Sequence, residues 1–362
     1  MSTARAFRRV SVLLVGILPI LGAACGSSSS SASTPETSAT SAKTASATPV
    51  DLRLGYFPNV THAPALIGIE GGLFEAKLDK KVTLKPQSFN AGPDVVTAIF
   101  AGELDASFIG PGPSISAFQK SNGDAIRIVA GAASGGAFLV VKPSITKPAD
   151  LEGKKIASPQ LGNTQDIALR TWMKTKAFTT DTSGGGDVSI VPQDNALSLT
   201  AFQGGQIDGA WVPEPWATRL VKEGGGKILV DERDLWPAGK FVTTDLIVRK
   251  AFLAEHPDVV KQLIEGEIAA IALTKADRTK AEGLVASGIQ KATGKAIPAA
   301  LVTASFDSIT FTVDPISSSL LKNAQDSAAL GLISSKDVKG IYDLSILNGI
   351  QAAASAPTFT GA

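Results

Sequence analysis

The sequence predicts an α/β fold in two similarly built halves, and three observations carry that expectation. Short β-branched runs alternate with amphipathic stretches punctuated by Gly and Pro, the pattern of parallel strands joined by helical crossovers. At 362 residues the chain exceeds what one compact core usually holds, so about two folding units are expected. Finally, an offset of 103 residues lays NAGPDVVTAIFAGELDASFIGP (Asn90 to Pro111) beside QDNALSLTAFQGGQIDGAWVPE (Gln193 to Glu214). Thr97, Ala98, Gly102 and Asp105 then match Thr200, Ala201, Gly205 and Asp208, and each segment runs helix, Gly turn, Asp-led strand, Pro-containing loop.

From the start of the body, DLRLGYF (51–57) reads as a strand, followed by a helix over Ala63 to Ile69 and the strand VTLKPQS (Val82 to Ser88). A helix opens at Gly92-Pro93, where proline suits the first turn because its missing N–H would have had no partner there. The strand DASFI (105–109), a helix over Pro113 to Lys120 and the strand AIRIVA (125–130) complete a first series. After FLVVK (138–142) the alternation restarts: strand KKIAS, helix TQDIALRTWMK, strand DVSIV, helix ALSLTAFQ, strand DGAWV, a helix from Pro215 and strand KILV. From Lys250 onward the pattern is mainly helical, with a long helix over Pro257 to Leu273.

Ahead of this body stands an export signal. Arg5, Arg8 and Arg9 precede an apolar run from Val10 to Ala24 that Ser11, Gly16 and Pro19 interrupt, too short for the roughly 20 residues of a permanent span. Residues 1–24 are therefore expected to be a signal peptide. The run ends in LGAAC, and the lone cysteine, Cys25, resembles the lipidated cysteine of a bacterial lipobox, with Gly22 where a large aliphatic residue is usual and Leu21 one place further out. Diacylation there would give a stable membrane anchor. Residues 25–49 carry that cysteine and a disordered tether of Ser, Thr and Ala with no core-forming side chain.

Composition removes several function classes. A net charge of +1 gives no electrostatic footprint for nucleic acid. His62, His256 and Cys25 are the whole complement of their types, so no disulfide framework or Cys/His zinc cage can form within one chain, and no metal or cofactor is expected. No GxSxG elbow, HExxH helix or GxxxxGK[ST] loop occurs, and Glu103 with Asp105 or Asp231 with Glu232 read as solvated strand and turn residues. An enzyme is not expected.

What remains is a set of loops that follow strand ends and open helices: PNVTHAP with Asn59, Thr61 and His62; FNAGP with Asn90 and Gly92; IGPGPS with Gly110 and Pro111; ASGGA with Gly136; and QLGNTQD with Asn163, Thr164 and Gln165. Helix starts offer unpaired N–H groups and the positive end of the helix dipole, so several together suit a small oxyanion without a cationic side chain. Asp166 has the spacing of a capping acid for its own helix. Glu214, between two prolines, either supports a helix start or holds a ligand's ammonium or hydroxyl, and Trp216 follows it, while Trp211 reads as core and His256 as structural.

YFPNVTHAP, FNAGP, AGELDASFIGPGP, QLGNTQDIALRTW and IDGAWVPEPWATRLV together resemble the substrate-binding proteins of ABC importers for nitrate, aliphatic sulfonates and taurine, from about Asp51 to Val260. The resemblance implies a two-lobed type II periplasmic-binding-protein fold with two crossing hinge strands, near Phe138 to Lys142 and Phe241 to Arg249. Lobe one would hold 50–141 plus 241–355 and lobe two 142–240. It also implies a monomer outside the cytoplasm that hands its ligand to an ABC permease and ATPase, with the PNVTH, FNAGP, IGP, GNTQ and EPW segments as the site. Sulfonate, taurine, nitrate and bicarbonate fit that reading. A thiamine-precursor pyrimidine bound by similar proteins, and a surface sensor without a transport partner, are the alternatives.

Overall fold

The computed structural model describes residues 49–361. The expected signal peptide, Cys25 and the expected tether up to residue 48 lie outside the described residues. The first strands and helices are β1 (Val50–Tyr56), α1 (Ala63–Glu70), β2 (Val82–Ser88), α2 (Gly92–Phe100), β3 (Ala106–Ile109), α3 (Pro111–Lys120) and β4 (Ile126–Gly135). There follow β5 (Ala137–Val141), β6 (Lys155–Ser158), α4 (Thr164–Thr175), β7 (Ser189–Pro192), α5 (Asn195–Gln203), β8 (Gly209–Pro213), α6 (Trp216–Lys222) and β9 (Lys227–Asp231). The chain ends with β10 (Val242–Arg249), α7 (Lys250–Glu255), α8 (Pro257–Ala276), α9 (Arg278–Thr293), α10 (Ala299–Phe306), β11 (Ile309–Phe311), α11 (Ser317–Ala329) and α12 (Ser345–Ala353).

Two sheets organise these elements. The first has the order β11-β4-β10-β3-β1-β2 and the second β7-β6-β8-β5-β9. In the first, β1 is parallel to β2 and β3, while β10 runs antiparallel between β3 and β4. The second repeats the plan: β6 is parallel to β7 and β8, and β5 runs antiparallel between β8 and β9. The internal offset of 103 residues lands helix on helix and strand on strand, α2 on α5 and β3 on the first four residues of β8.

The chain passes between the sheets twice, and the first passage differs from expectation. Ala137–Val141 pairs wholly within the second sheet, so the break falls at Gly136 and not after residue 141. Antiparallel pairing with β10 and β11 carries β4 on to Gly135, so ASGGA is strand and crossover, not a helix start. Gly135 and Gly136 turn the chain at φ 85° and 70°, a region costly for residues with a Cβ, and a Cβ at Gly136 would lie 2.5 Å from Ile309 Cγ1. The second passage is the stretch from Glu232 to Phe241, which leads into β10.

Each sheet is covered on both faces, as parallel strands require. Phe74, Phe108, Leu246, Val260 and Ile264 fill one side of the first sheet, and Val95, Ile99, Ile115, Ile247 and Leu320 the other. In the second sheet Phe138, Phe202 and Leu220 pack on one face. Leu139, Leu169 and Trp172 pack on the other with Trp211, fully buried and edge-on to Trp172 at 5.9 Å. His256 packs its ring 4.9 Å from that of Phe252.

Two acids interrupt the core of the first sheet. Asp245 on β10 and Glu267 on the buried face of α8 are fully buried, and none of their carboxylate oxygens has a hydrogen-bond partner among the described residues. Burial pushes both carboxyls well above the usual range, with Asp314 adding to the effect on Asp245 and Asp245 to that on Glu267. A raised folded-state pKa gives stability that is full below the ordinary carboxylate pKa and is lost as pH rises through the folded value. Glu267→Gln is therefore expected to melt about 2 °C or more above the parent at pH 8, with the gap closing near pH 4. Parallel melting profiles for the two proteins across that range would overturn this assignment.

Candidate functional site

The strand ends of both sheets meet at one seam. After β1 the chain turns through Phe57-Pro58-Asn59, and the His62 N–H donates back to the Asn59 carbonyl at 3.0 Å. The Phe57 N–H donates to His62 Nδ1 at 3.3 Å, and the two rings pack at a tilt of 33° with centroids 4.3 Å apart. Because Nδ1 accepts, the proton of the neutral ring sits on Nε2. His62 is neutral in the folded protein: burial lowers its pKa to about 3.

Across the seam stands the start of α4. Asn163 caps it, its side-chain oxygen accepting from the Thr164 N–H at 2.9 Å. Thr164 Oγ1 accepts from the Gly112 N–H in the first turn of α3 at 3.3 Å, so two helix starts, one from each sheet, touch. A Cβ at Gly110 would lie 2.3 Å from that hydroxyl, which makes glycine obligatory for this approach. Further along, Asn90 Nδ2 reaches Asp194 Oδ2 at 3.5 Å, and Gln160 Nε2 reaches Asp94 and Asp194 at 3.3 and 3.2 Å.

These segments enclose a cavity of about 20 Å³, room for one or two waters and so for the head of a small oxyanion. Asn59, Thr61, His62, Asn90, Gly110, Asn163, Thr164 and Gln165 line it. No Lys, Arg, Asp or Glu does. The buried Arg170 is held by Asp166 at 3.0 Å, and Asp166 also accepts from Ser158 Oγ at 2.6 Å and from the Gly162 N–H at 3.0 Å. Asp166 thus serves its own helix and loop, and its charge is spent on Arg170.

The other expected residues lie outside the wall. Gly92 opens α2 against Pro113, and Pro111 opens α3. Gly136 sits at the crossover, its carbonyl accepting from the Glu214 N–H at 2.8 Å. The Glu214 carboxylate turns away from the cavity, taking hydrogen bonds from the Thr218 hydroxyl and N–H at 2.8 and 3.0 Å and from Ser305 at 3.2 Å. It ties the first turn of α6 to α10, and burial raises its pKa. Trp216 donates from its indole N–H to Asn59 Oδ1 at 2.8 Å and holds the lining residue from behind. Sequence reasoning missed Phe57, Pro159, Asn195, Pro213 and Thr243, which complete the wall.

The arrangement can bind an anion through neutral dipoles, with backbone N–H groups at helix starts, side-chain amides, hydroxyls and one imidazole N–H as donors. The profile of the NMT1-like family matches residues 45–288. The chain belongs to this family. Over 189 residues, 51% of the chain, it is 31% identical to the taurine-binding periplasmic protein of Escherichia coli (strain K12), and the match covers 56% of that relative's length. Among solved structures, the alkanesulfonate-binding protein of Xanthomonas axonopodis pv. citri is similar with a TM-score of 0.65 at 22% identity, covering 80% of this chain and 96% of the other. The periplasmic nitrate-binding protein of Synechocystis PCC 6803 is similar with a TM-score of 0.70 at 14% identity, covering 85% and 90%. The fold of this NMT1-like protein is thus that of the periplasmic binding proteins.

The neutral imidazole has a measurable consequence. A depressed folded-state pKa gives stability that is full above the unfolded pKa and is lost as pH falls toward the folded one. At pH 5 the unfolded chain takes up a proton that His62 refuses in the folded protein, a loss of about 2 kcal/mol relative to pH 7.5. His62→Gln escapes this loss, so the stability difference between variant and parent is expected to move toward the variant by that amount over the interval, as read from denaturant unfolding at each pH. A constant difference would mean that His62 takes up its proton in the folded protein as readily as in the unfolded chain.

Proposed function

We propose that this NMT1-like chain is the extracytoplasmic solute-binding lipoprotein of an ABC importer, capturing a small oxyanion such as an aliphatic sulfonate between its two sheets and delivering it to the permease. One observation carries the reading: the cavity is walled by neutral hydrogen-bonding groups and by helix starts from both sheets, and no charged side chain enters it. Such a wall suits a ligand that brings its own negative charge. Its size suits an oxyanion head. The names of the taurine-binding and alkanesulfonate-binding relatives support the same class. Export and Cys25 lipidation rest on the N-terminal sequence.

Delivery requires two states, and the seam offers a way to have them. Asn59 with Trp216, Gly112 with Thr164, and Asn90 with Asp194 each join a segment of the first sheet to one of the second. Rotation about the crossovers at Gly136 and 232–241 would break these contacts together, and a ligand touching both walls favours the closed arrangement by its extra contacts there.

A thermal-shift screen of the purified protein against sulfonates, taurine, nitrate, bicarbonate and a thiamine-precursor pyrimidine tests the reading. An oxyanion at 100 times its Kd is expected to add about 2.7 kcal/mol, a rise of about 5 °C. A shift with the pyrimidine alone would reverse the assignment. Gln165→Ala removes a buried amide that lines the cavity. It is expected to weaken oxyanion binding at least about fivefold while leaving the ligand-free melting point within about 2 °C. Unchanged affinity would remove the α4 start from the site. Stimulation of a reconstituted permease's ATPase by the liganded protein separates the transport receptor from a sensor.

A further inference from the structure

The second passage between the sheets begins at an acid that the sequence places in solvent and the fold does not. Glu232 follows the last residue of β9 and is 2% exposed. Trp211 on β8 donates its indole N–H to Glu232 Oε2 at 2.7 Å, a partner that lets the carboxyl leave water. Further along the passage, Trp236 stacks on Phe241 with ring centroids 5.5 Å apart, and the Lys322 ammonium of α11 stands 5.7 Å from the centre of the Trp236 ring. The passage is thus fastened to the second sheet at its start and to the first at its end.

We infer that Glu232 is the clasp of this crossover: its neutral carboxyl, buried against Trp211, holds the arrangement in which the two walls touch, and its ionisation lets the passage turn out to water and the sheets part. The inference rests on the two-state hinge of the reading above and names the group that biases it. Burial raises the Glu232 pKa to about 7, against the pull of the Trp211 and Trp236 indoles, and Asp231 adds to the rise. Asp231 is itself paired with Arg233 at 2.5 Å, and Lys322 with Asp326 at 2.6 Å. β5 and β8, which pack on this turn, carry no charged residue. The joined arrangement therefore binds the proton more tightly than one in which water reaches the carboxylate, and proton binding and joining favour each other. The joined population falls as pH rises from the ordinary carboxylate range through about 7, and is level above it.

Glu232→Gln provides the test, because it keeps an acceptor for the Trp211 N–H and cannot ionise. His62 and Glu214 titrate alike in both proteins, so a difference between them belongs to Glu232. Small-angle scattering of the ligand-free proteins is expected to show a larger radius for the parent at pH 8, with the gap narrowing toward pH 5. Taurine, titrated by calorimetry, is expected to bind the variant about tenfold or more tighter than the parent at pH 8, and the ratio to shrink toward pH 5. Equal radii at both pH values, or a gap that does not change with pH, would overturn the inference and leave the oxyanion reading standing. Absence of taurine binding at either pH would count against that reading alone, since scattering needs no ligand. The parent gives a further check: Trp211 and Trp236 flank the carboxyl, so tryptophan fluorescence is expected to titrate between pH 5 and 8. A flat profile would overturn the inference even if the variant failed to fold.

Discussion

The first-turn N–H groups of helices that begin straight after strands are the constraint around which this molecule is arranged. Each sheet sends such helices to its strand ends, and the two sheets meet there, α3 against α4 through Gly112 and Thr164 and α2 beside α5 through Asn90 and Asp194. Groups of this kind cannot be buried without an acceptor. Asp166 serves the loop before α4, but no carboxylate enters the cavity itself. Asn163 and Thr164 accept from the Thr164 and Gly112 N–H groups, and the glycine at 110 lets the two walls come this near.

Around the cavity, charge is paired or kept off. Arg170, the buried cation nearest in sequence to the α4 start, is paired with Asp166, and His62 is held neutral by burial. Asp105 is clasped by Arg53 and Arg249 at the opposite, amino-terminal edge of β3. Recognition by fixed dipoles places geometry above net attraction, because a dipole rewards an atom only along its axis, whereas a buried cation would reward any anion that fits.

Much of this was legible in the sequence because loops that follow strands and open helices have a recognisable chemistry. Asn59, His62, Gly110 and Thr164 stand in such loops, and the internal similarity is enough to place α5 and β8. The same offset pairs Gly92 with Asn195, so the internal similarity carries a signal for that asparagine as well. Thr243 had no comparable signal: it belongs to a crossover strand, and only the pairing of β10 between β3 and β4 brings it to the cavity. Glu214 misled because an acid between two prolines at a strand end looks the same whether it faces a ligand or, as here, Thr218 and Ser305. Side-chain direction at a helix start is a tertiary property, set by what packs behind it.

The exchange of central strands between the sheets also sets an order of assembly. The second sheet is continuous in sequence, from β5 to β9, so all its partners exist once residue 231 has been made. The first sheet is divided. β3 and β4 share no ladder with each other, and the lane between them stays vacant until β10 arrives on the far side of the entire second sheet. Closing so long a loop is slow compared with pairing neighbours. The half of the molecule begun first is therefore the half finished last, and until β10 is seated the wall that contains Thr243 does not exist.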